Sequence, residues 1–330
     1  MASARKKGTN EVISTYGNAT RDYTALATWA AATDNDLVTL AQSEVLECYD
    51  DAASFNDSVY LGDALCNASY FRIIRPAAGH GHDGTPNNGV YFVCTADVAD
   101  AVFWVYESYS QVQDIIASYN GQNTGRRCVF VLNNGVSFTN SALIGCIAYN
   151  SSNTNVTGTL NGFYSRPNGA AIKQFMIDCL AHNMTTPNGT GIAAGFKIDT
   201  VGTIYWYNCS SIGNETNGFY QTAGTAITKN CCSSGNVNDW VGTFTKTTCT
   251  AEDATPTYVN AANDDFHLAA GDTVCRGNGT DLSADAIYPF DDDIDGRPRV
   301  SAWDIGFDEY TSIVPIIMQQ TNQFNGGSYL

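Results

Sequence analysis

Ile172-Lys-Gln-Phe-Met-Ile-Asp-Cys-Leu-Ala-His-Asn183 is a strand-like run that ends in cysteine and asparagine, and a similar run returns at 203–214. A Gly-Phe pair lies between successive cysteines. The cysteines of the repeat are 33, 30 and 22 residues apart. Helical repeats hold a fixed period, whereas β-coils keep their strands and vary the loops between them, so the pattern predicts a β-solenoid. The repeated pairs are Cys146 with Asn150, Cys179 with Asn183, Cys209 with Asn214 and Cys231 with Asn236, separated by Gly162-Phe163, Gly195-Phe196 and Gly218-Phe219.

Strand-like runs rich in β-branched and aromatic residues recur along the chain, with clusters of Gly, Asn, Asp and Ser between them. About ten coils at ~4.8 Å spacing predict a rod on the order of 50 Å long. The predicted strands are Val45–Tyr49, Tyr70–Arg75, Val90–Cys94, Val102–Tyr106, Cys128–Leu132, Ala142–Ala148, Ile172–Cys179, Phe196–Asp199, Thr203–Cys209 and Thr225–Cys231.

Alternation within the repeat predicts which side chains share a face. Phe175, Ile177 and Cys179 fall on one side of a continuous strand, and we expect this cysteine side to point into the core. The asparagines after the cysteines suit turns, because Asn tolerates the left-handed conformation. Stacked from coil to coil, their amides can form a hydrogen-bonded ladder. An Asn-rich composition is the alternative explanation.

One early segment has helical spacing. Asp22 is placed to cap a helix near residues 22–32, whose apolar face holds Leu26, Trp29 and Ala30. A single amphipathic helix ahead of the strands predicts a cap on the open end of the solenoid.

Composition excludes several classes of function. The net charge is −17 and the pI about 4.3, which argues against binding nucleic acid or anionic lipid. Charged residues make up only 15%, so neutral Asn, Thr, Ser and Gly cover much of the surface. The basic cluster Arg5, Lys6 and Lys7 is expected to be a flexible tail, with docking on an acidic partner as the alternative.

Export and membrane signals are not evident in the sequence. Residues 1–10 are polar with no apolar region after them, and no run of about 18 apolar residues occurs. The eleven cysteines are an odd number, and we expect them to be mainly reduced thiols. The many Asn-x-Ser/Thr sequons are explained by the Asn-, Thr- and Ser-rich composition.

The most specific motifs lie near the end of the chain: Asp264-Asp-Phe-His-Leu-Ala-Ala-Gly271, Asp293-Ile-Asp-Gly-Arg-Pro-Arg299 and Asp304-Ile-Gly-Phe-Asp-Glu-Tyr310. Together they resemble the ending of many right-handed parallel β-helix proteins of the pectate-lyase-like class. The resemblance covers about 264–310 and implies a fold and its terminal cap, not an activity. Asp272-Thr-Val-Cys275 departs from that pattern, which usually has Ser-x-x-Ile-Asp here.

The opening 17–29, with its Asp22-Tyr-x-x-Leu-x-x-Trp29 segment, also resembles phage-encoded β-helix proteins found among virion structural genes. The resulting fold prediction is an all-β chain, a right-handed parallel β-helix with an N-terminal capping helix and a C-terminal capping segment. Its parts are a tail at 1–16, the β-helix at 17–250, its C-terminal end and cap at 251–310, and an extended arm at 311–330. The arm is expected either to be disordered or to dock on a neighbouring subunit.

Candidate sites were weighed against ordinary structural roles, and no catalytic, cofactor-binding or metal-ligating residue is predicted. A D-x-D-x-D-G run has a calcium-loop spacing, but Ala302 stands where that loop needs Glu. Polysaccharide lyase or hydrolase chemistry would need clustered acids beside a basic residue. The residues weighed are Asp291, Asp293 and Asp295 for calcium; His80, His82 and Asp83 for another metal; Arg126, Arg127 and Lys173 for catalysis; and Tyr205, Trp206 and Tyr207 for a sugar ring.

The resemblance and the missing catalytic cluster together favour a non-enzymatic phage virion structural protein, a capsid-decorating or tail-associated appendage. Its partners would be other virion proteins, held through the terminal arm, and a host-surface polysaccharide; a homotrimer is compatible. It would assemble in the host cytoplasm and be exposed on the particle. The alternatives are a tailspike-like polysaccharide depolymerase and a bacterial surface adhesin.

Overall fold

The chain passes in turn through three parallel sheets, placing one strand in each sheet per coil. The computed structural model describes residues 3–95, 101–122, 126–134, 139–155, 158–187, 191–300 and 302–311, so the predicted arm lies outside the described residues from 312 onward. The elements are, in chain order, β1 (Glu11–Tyr16), α1 (Leu26–Ala32), α2 (Leu37–Leu40), β2 (Ser43–Cys48), β3 (Val59–Gly62), β4 (Arg72–Pro76), β5 (Tyr91–Cys94), β6 (Ala101–Tyr106), β7 (Gln111–Gln113), β8 (Ile116–Gly121), β9 (Arg126–Asn134), β10 (Ser141–Ile144), β11 (Ile147–Asn153), β12 (Thr159–Pro167), β13 (Lys173–Ile177), β14 (Leu180–Thr185), β15 (Ala193–Ile198), β16 (Thr203–Tyr207), β17 (Ser210–Ile212), β18 (Asn217–Gln221), β19 (Thr225–Lys229), β20 (Cys232–Ser234), β21 (Asn238–Val241), β22 (Phe244–Thr247), β23 (Tyr258–Asn260), a 3-10 helix (Ala261–Asn263) and β24 (Asp265–Leu268).

The three sheets make a parallel β-helix, which confirms the predicted fold class. The nine-stranded sheet has the order β1-β2-β4-β7-β10-β13-β16-β19-β22, the six-stranded sheet β20-β17-β14-β11-β8-β5, and the seven-stranded sheet β21-β18-β15-β12-β9-β6-β3. Nine strands at ~4.8 Å spacing span about 38 Å, slightly less than the sequence predicted. All ten predicted strands overlap observed ones.

A two-residue corner joins the nine-stranded sheet to the six-stranded sheet and corrects the predicted faces. The first residue of this corner has a left-handed backbone conformation in three successive coils, with a φ of +52° at Asp178, Asn208 and Asn230. This turn reverses the alternation, so Cys179 points inward together with Met176. Phe175 and Ile177 instead point outward into a separate apolar cluster. The prediction that they share the face of Cys179 is therefore wrong, although the inward direction of the cysteine is right.

The second residue of each corner forms a column of buried thiols. Cys146, Cys179, Cys209 and Cys231 are all fully buried, and Cys249 adds a partly buried fifth member. The Cys209 thiol donates to the carbonyl oxygen of Met176 at 3.2 Å, one coil below, and the other three full members make the same kind of contact. Because thiols are small and only weakly polar, they fill this column without strong hydrogen-bond partners. All eleven cysteines are free, as predicted.

The Gly-Phe pairs build the opposite wall of the core. Phe163 stacks on Phe130 at 5.1 Å and on Phe196 at 4.7 Å, and the column continues to Phe219 and Trp240. The preceding glycines are required by close approach. A Cβ atom at Gly162 would lie 2.9 Å from a carbonyl oxygen of the neighbouring coil.

The predicted asparagine ladder is present in two separate pairs. The Asn183 amide donates to Oδ1 of Asn150; Asn150 is exposed and Asn183 is half-buried. The Asn214 amide donates to Oδ1 of Asn236 at 3.0 Å and is buried. The pairs differ because the first two asparagines follow their cysteines by four residues and the second two by five, which shifts their register.

The N-terminal part differs from the prediction at two points. Strand β1 starts at Glu11, so the solenoid begins inside the predicted tail. Helix α1 does bury Leu26, Trp29 and Ala30, but Asp22 does not cap it, because its carboxylate accepts from Thr15. Asp57 accepts the N–H of Leu26 at 2.7 Å instead. That α1 closes the end of the solenoid stays a prediction.

Residues 258–311, named here the C-terminal strap, lie along the flank of the solenoid. Phe266, Ile294 and Phe307 pack on outward-facing residues of the six-stranded sheet. Tyr288 and Trp303 pack on outward-facing residues of the nine-stranded sheet. The described part of the strap therefore covers the corner between two sheets, whereas the motif resemblance predicted a cap on the end of the solenoid.

None of the helices in the described ranges has the length and apolar character needed to cross a membrane.

The first residues of the chain are held against the strap. The Arg5 guanidinium contacts Asp114 at 2.6 Å and Asp292 at 3.0 Å, and the N–H of Ala4 donates to Asp292 at 2.9 Å. The Tyr288 hydroxyl donates to the carbonyl oxygen of Ala4 at 2.9 Å. The prediction of a flexible basic tail is thus wrong for Arg5, because two carboxylates hold its side chain in place.

Candidate functional site

The motif residues of the strap converge on one buried arginine. Arg299 is 7% exposed, and its guanidinium donates to Asp178 of the solenoid at 2.8 Å and lies 3.4 Å from Glu309. The same group donates to the carbonyl oxygens of Gly306 and Phe307 at 3.1 Å and 3.0 Å. Arg299 therefore fastens the strap to the corner of the β13 coil.

Acidic groups outnumber the cation at this point. Asp178, Asp293 and Glu309 all face Arg299, and one guanidinium cannot neutralise three buried carboxylates. Burial accordingly raises the pKa of Glu309 to about 7 and that of Asp293 to about 6. Burial also raises the pKa of Asp178. Protons bound to these carboxyl groups therefore offset the negative charge that Arg299 alone does not neutralise.

This imbalance predicts a pH-dependent stability. A carboxyl group with a raised pKa in the folded state stabilises the fold below its unfolded pKa, and this contribution is lost as pH rises through the folded pKa. We expect the free energy of unfolding to fall by about 1 to 3 kcal/mol between roughly pH 4.5 and 7, and Glu309→Gln to remove much of that fall. Urea titrations across this range measure it. Exposed Glu252→Gln is the control and should leave the fall unchanged; an unchanged fall in Glu309→Gln would contradict the assignment.

A second cluster lies in a cleft of about 800 Å³ beside the strap. His267 lies between carboxylates: its Nδ1 is 2.6 Å from Asp265, and its Nε2 is 3.5 Å from Asp295. Asp308 completes the group and accepts the N–H of Leu268 at 2.8 Å. Although burial opposes the charged form, hydrogen bonding to Asp295 and the negative charge of Asp308 raise the pKa of His267 to about 10.

The D-x-D-x-D-G run does not close into one loop site. Asp293 accepts the backbone N–H groups of Asp295 and Arg297 and so shapes a turn. Asp295 faces His267, and the contact of Asp291 is a backbone one, its carbonyl oxygen accepting the N–H of Arg299 at 2.6 Å. The carboxylates of Asp293 and Asp295 thus serve different partners.

The side chains of the turn that contains His80, His82 and Asp83 also contact different partners. The imidazole of His80 pairs with Asp50, whereas Nε2 of His82 contacts the carbonyl oxygen of Gly145 at 2.7 Å. Asp83 accepts from Thr85 within its own turn. Because the two rings contact different partners, this turn fits its alternative interpretation as a structural loop.

The remaining sequence candidates lie mainly in the interior. Trp206 is fully buried in the core, while Tyr205 and Tyr207 are covered by the strap, so none is placed to meet a sugar ring. Arg127 is 6% exposed in the seven-stranded sheet, whereas Lys173 belongs to the nine-stranded sheet. The two basic residues are thus on different walls of the solenoid.

An aromatic surface that the sequence analysis missed lies on the outer face of the seven-stranded sheet. Tyr60 is 47% exposed, meets Trp104 edge-on at 5.4 Å and stacks on Tyr106 at 5.9 Å. Residues paired in register with these on the neighbouring strands continue an outward-facing row across the sheet. We name this set the aromatic row, although three of its members are not aromatic. Its members are Tyr60, Trp104, Val131, Tyr164, Lys197, Tyr220 and Val241.

The row is exposed at Tyr60, buried in its middle and half-buried at its other end. Tyr164 is 1% exposed and Lys197 is 6% exposed, whereas Tyr220 is half-buried. The Lys197 ammonium lies 5.2 Å from the Tyr220 ring centroid and 5.6 Å from that of Tyr164. The alternation of inward- and outward-pointing residues within each strand could have revealed this row in the sequence. The irregular lengths of the coils hid which outward-pointing residues lie side by side.

Comparison with known proteins gives no match: no family model, no curated protein and no solved structure resembles the chain at a significant level. The geometry offers two candidate surfaces among the described residues, the aromatic row and the His267 cleft.

Proposed function

We propose that the protein is a non-enzymatic, rod-like structural component of a phage virion that adheres to neutral glycans on cell surfaces. The observation that carries adhesion is the aromatic row on one outer wall of the rod, in which Tyr60 is exposed and Trp104 and Tyr220 are half-buried. Aromatic rings offer apolar faces to sugar rings while their polar edges stay hydrated. The virion assignment rests on the motif resemblance and the rod-like fold.

Spacing supports a polymeric ligand over a single sugar. Tyr60 and Tyr220 are five strand-to-strand steps apart in the seven-stranded sheet, which is about 24 Å at ~4.8 Å per step. One monosaccharide cannot reach both rings, whereas an extended oligosaccharide can. The net charge of −17 favours a neutral chain over an anionic one.

The carboxylates near the strap support a structural role over catalysis. Glu309 is 1% exposed and accepts the N–H groups of Val300 and Asp304 at 3.3 Å and 2.9 Å. Asp304 accepts the N–H groups of Gly277 and Tyr310, both at 2.6 Å. These groups are committed to holding the strap together.

The binding test uses the purified full chain with a neutral glucan and a neutral mannan, and with alginate as an anionic comparison. We expect Tyr60→Ala and Tyr220→Ala each to weaken neutral-glycan binding about three- to tenfold. Tyr70→Ala, a half-buried tyrosine ahead of β4 in the nine-stranded sheet, is the matched control and should bind normally. Equal binding by all variants would remove the aromatic row as the adhesive surface.

Two further readouts address the other parts of the proposal. Shortening of the glycan chains during incubation would replace adhesion by the depolymerase alternative. Mass spectrometry of purified virions tests particle membership, and we expect the protein among the structural components. Its absence there would overturn the virion assignment and leave a cell-surface adhesin as the alternative.

A further inference from the structure

The cleft beside the strap contains a group of donor atoms with the arrangement of a metal site. His267, Asp295 and Asp308 come from β24, from the turn at 293–297 and from the last motif. One ligand atom of each lies within 4.8 Å of the other two. The sequence analysis predicted no metal-ligating residue, and its calcium candidate shares only Asp295 with this group.

A glycine of another loop lies close against two of these ligand residues. Gly84 has a φ of +81° and approaches the cluster so closely that a Cβ atom there would lie 2.4 Å from Nε2 of His267 and 2.7 Å from Oδ1 of Asp295. Because the backbone comes this close, only a residue without a side chain leaves His267 and Asp295 where they are.

The donor separations agree with a shared ion. Nε2 of His267 and Oδ1 of Asp295 are 3.5 Å apart, which is at the long limit of a hydrogen bond. Two ligands at ~2.1 Å from one tetrahedral ion are separated by about 3.4 Å.

Asp295 carries an oxygen whose partner among the described residues is a solvent-exposed arginine. Its side chain is 4% exposed, and among the described residues no hydrogen-bond donor is aligned with its Oδ2. The contact of that oxygen is an ion pair at 2.5 Å with Arg297, whose side chain is 54% exposed. Arg297 can turn into solvent when a cation takes its place.

The ring of His267 is held in the orientation that a metal ligand needs. Asp265 contacts Nδ1 at 2.6 Å, which fixes Nδ1 as the protonated nitrogen and leaves Nε2 to face Asp295. Ligating histidines commonly have such a carboxylate behind them.

We propose that His267, Asp295 and Asp308 bind a divalent transition-metal ion of the zinc type, which joins β24, the turn at 293–297 and the last motif within the strap. One imidazole with two carboxylates suits zinc or its neighbours better than calcium, which takes oxygen ligands. A bound ion adds positive charge among these carboxylates.

The experiment is equilibrium dialysis of the EDTA-treated full chain against Zn²⁺, followed by elemental analysis of bound zinc. We expect about one zinc per chain at saturation, since the three donors form a single site. His267→Ala and Asp295→Asn should remove this binding. His80→Ala and Asp291→Asn are the matched controls, one histidine and one acid outside the cluster, and should retain it.

Two variants keep all three ligands and test the geometry if ligand removal impairs folding. Gly84→Ala presses a methyl group against His267 and Asp295 and should weaken binding by displacing these ligands, and Asp265→Asn should weaken it about 10- to 100-fold. Circular dichroism confirms that each variant is folded. Absence of bound zinc in the wild-type chain, equal binding by folded His267→Ala, or equal loss in His80→Ala would each overturn the proposal.

Discussion

Replacing Arg299 with alanine is expected to lower the free energy of unfolding by about 3 to 5 kcal/mol, because it strips the partner from buried carboxylates. Asp178 is fully buried and Glu309 is 1% exposed, so neither can recover its solvation without opening the strap. Urea denaturation at neutral pH measures the loss. At pH 5 the loss should be smaller, because Glu309, whose pKa is about 7, is then protonated and needs no cation.

Arg297→Ala is the matched control, two residues away on the same turn. Its side chain is 54% exposed, so its ion pair is screened by water and should contribute at most about 1 kcal/mol. In the Arg299→Ala background, Asp178→Asn should restore part of the stability. Asparagine is neutral, and it already occupies the same corner position in the next two coils, at Asn208 and Asn230. Equal effects of the two arginine substitutions would show that Arg299 is not the fastener.

Replacing Phe163 with alanine is expected to cost about 3 to 5 kcal/mol of folding stability, since it leaves a cavity in the middle of a column of rings. Phe163 is fully buried between Phe130 and Phe196, with centroid distances of 5.1 Å and 4.7 Å and nearly parallel planes. Both neighbours are held by their own strands and cannot close the gap. Thermal and urea unfolding followed by circular dichroism measure the effect.

Phe163→Leu retains much of the buried apolar volume, so it should cost less than Phe163→Ala. Tyr220→Ala removes an aromatic ring from the outer face of the same sheet and should change stability by no more than about 1 kcal/mol. A loss in Tyr220→Ala as large as that in Phe163→Ala would mean that the stacked column is not the main source of stability.

The repeat was sufficient to predict the parallel β-helix, because its cysteine, asparagine and Gly-Phe positions each mark one recurring place in a coil. What it could not predict was the reversal of side-chain direction at Asp178. Strict alternation holds only for a continuous strand, and one left-handed residue shifts every later side chain to the other face. Local periodicity therefore placed Phe175 and Ile177 in the wrong apolar cluster.

The candidate sites were harder to predict, because their residues meet only in the folded chain. Arg299 and Asp178 are 121 positions apart, and Ala4 and Asp292 are 288 positions apart. A short motif such as D-x-D-x-D-G suggests that neighbouring carboxylates share a ligand. The tight turn at Asp293 instead directs each of them to a partner from a different segment.

The C-terminal strap also has a consequence for how the protein unfolds. In a solenoid each coil contacts only its neighbours, so unfolding can proceed coil by coil from an open end. Here one segment contacts Ile116 in β8 and Cys232 in β20, which lie at distant positions along the axis. A terminal coil cannot separate without also releasing the strap from interior coils. We therefore expect the free-energy cost of fraying to be shared along the rod and the repeat array to unfold as one cooperative unit.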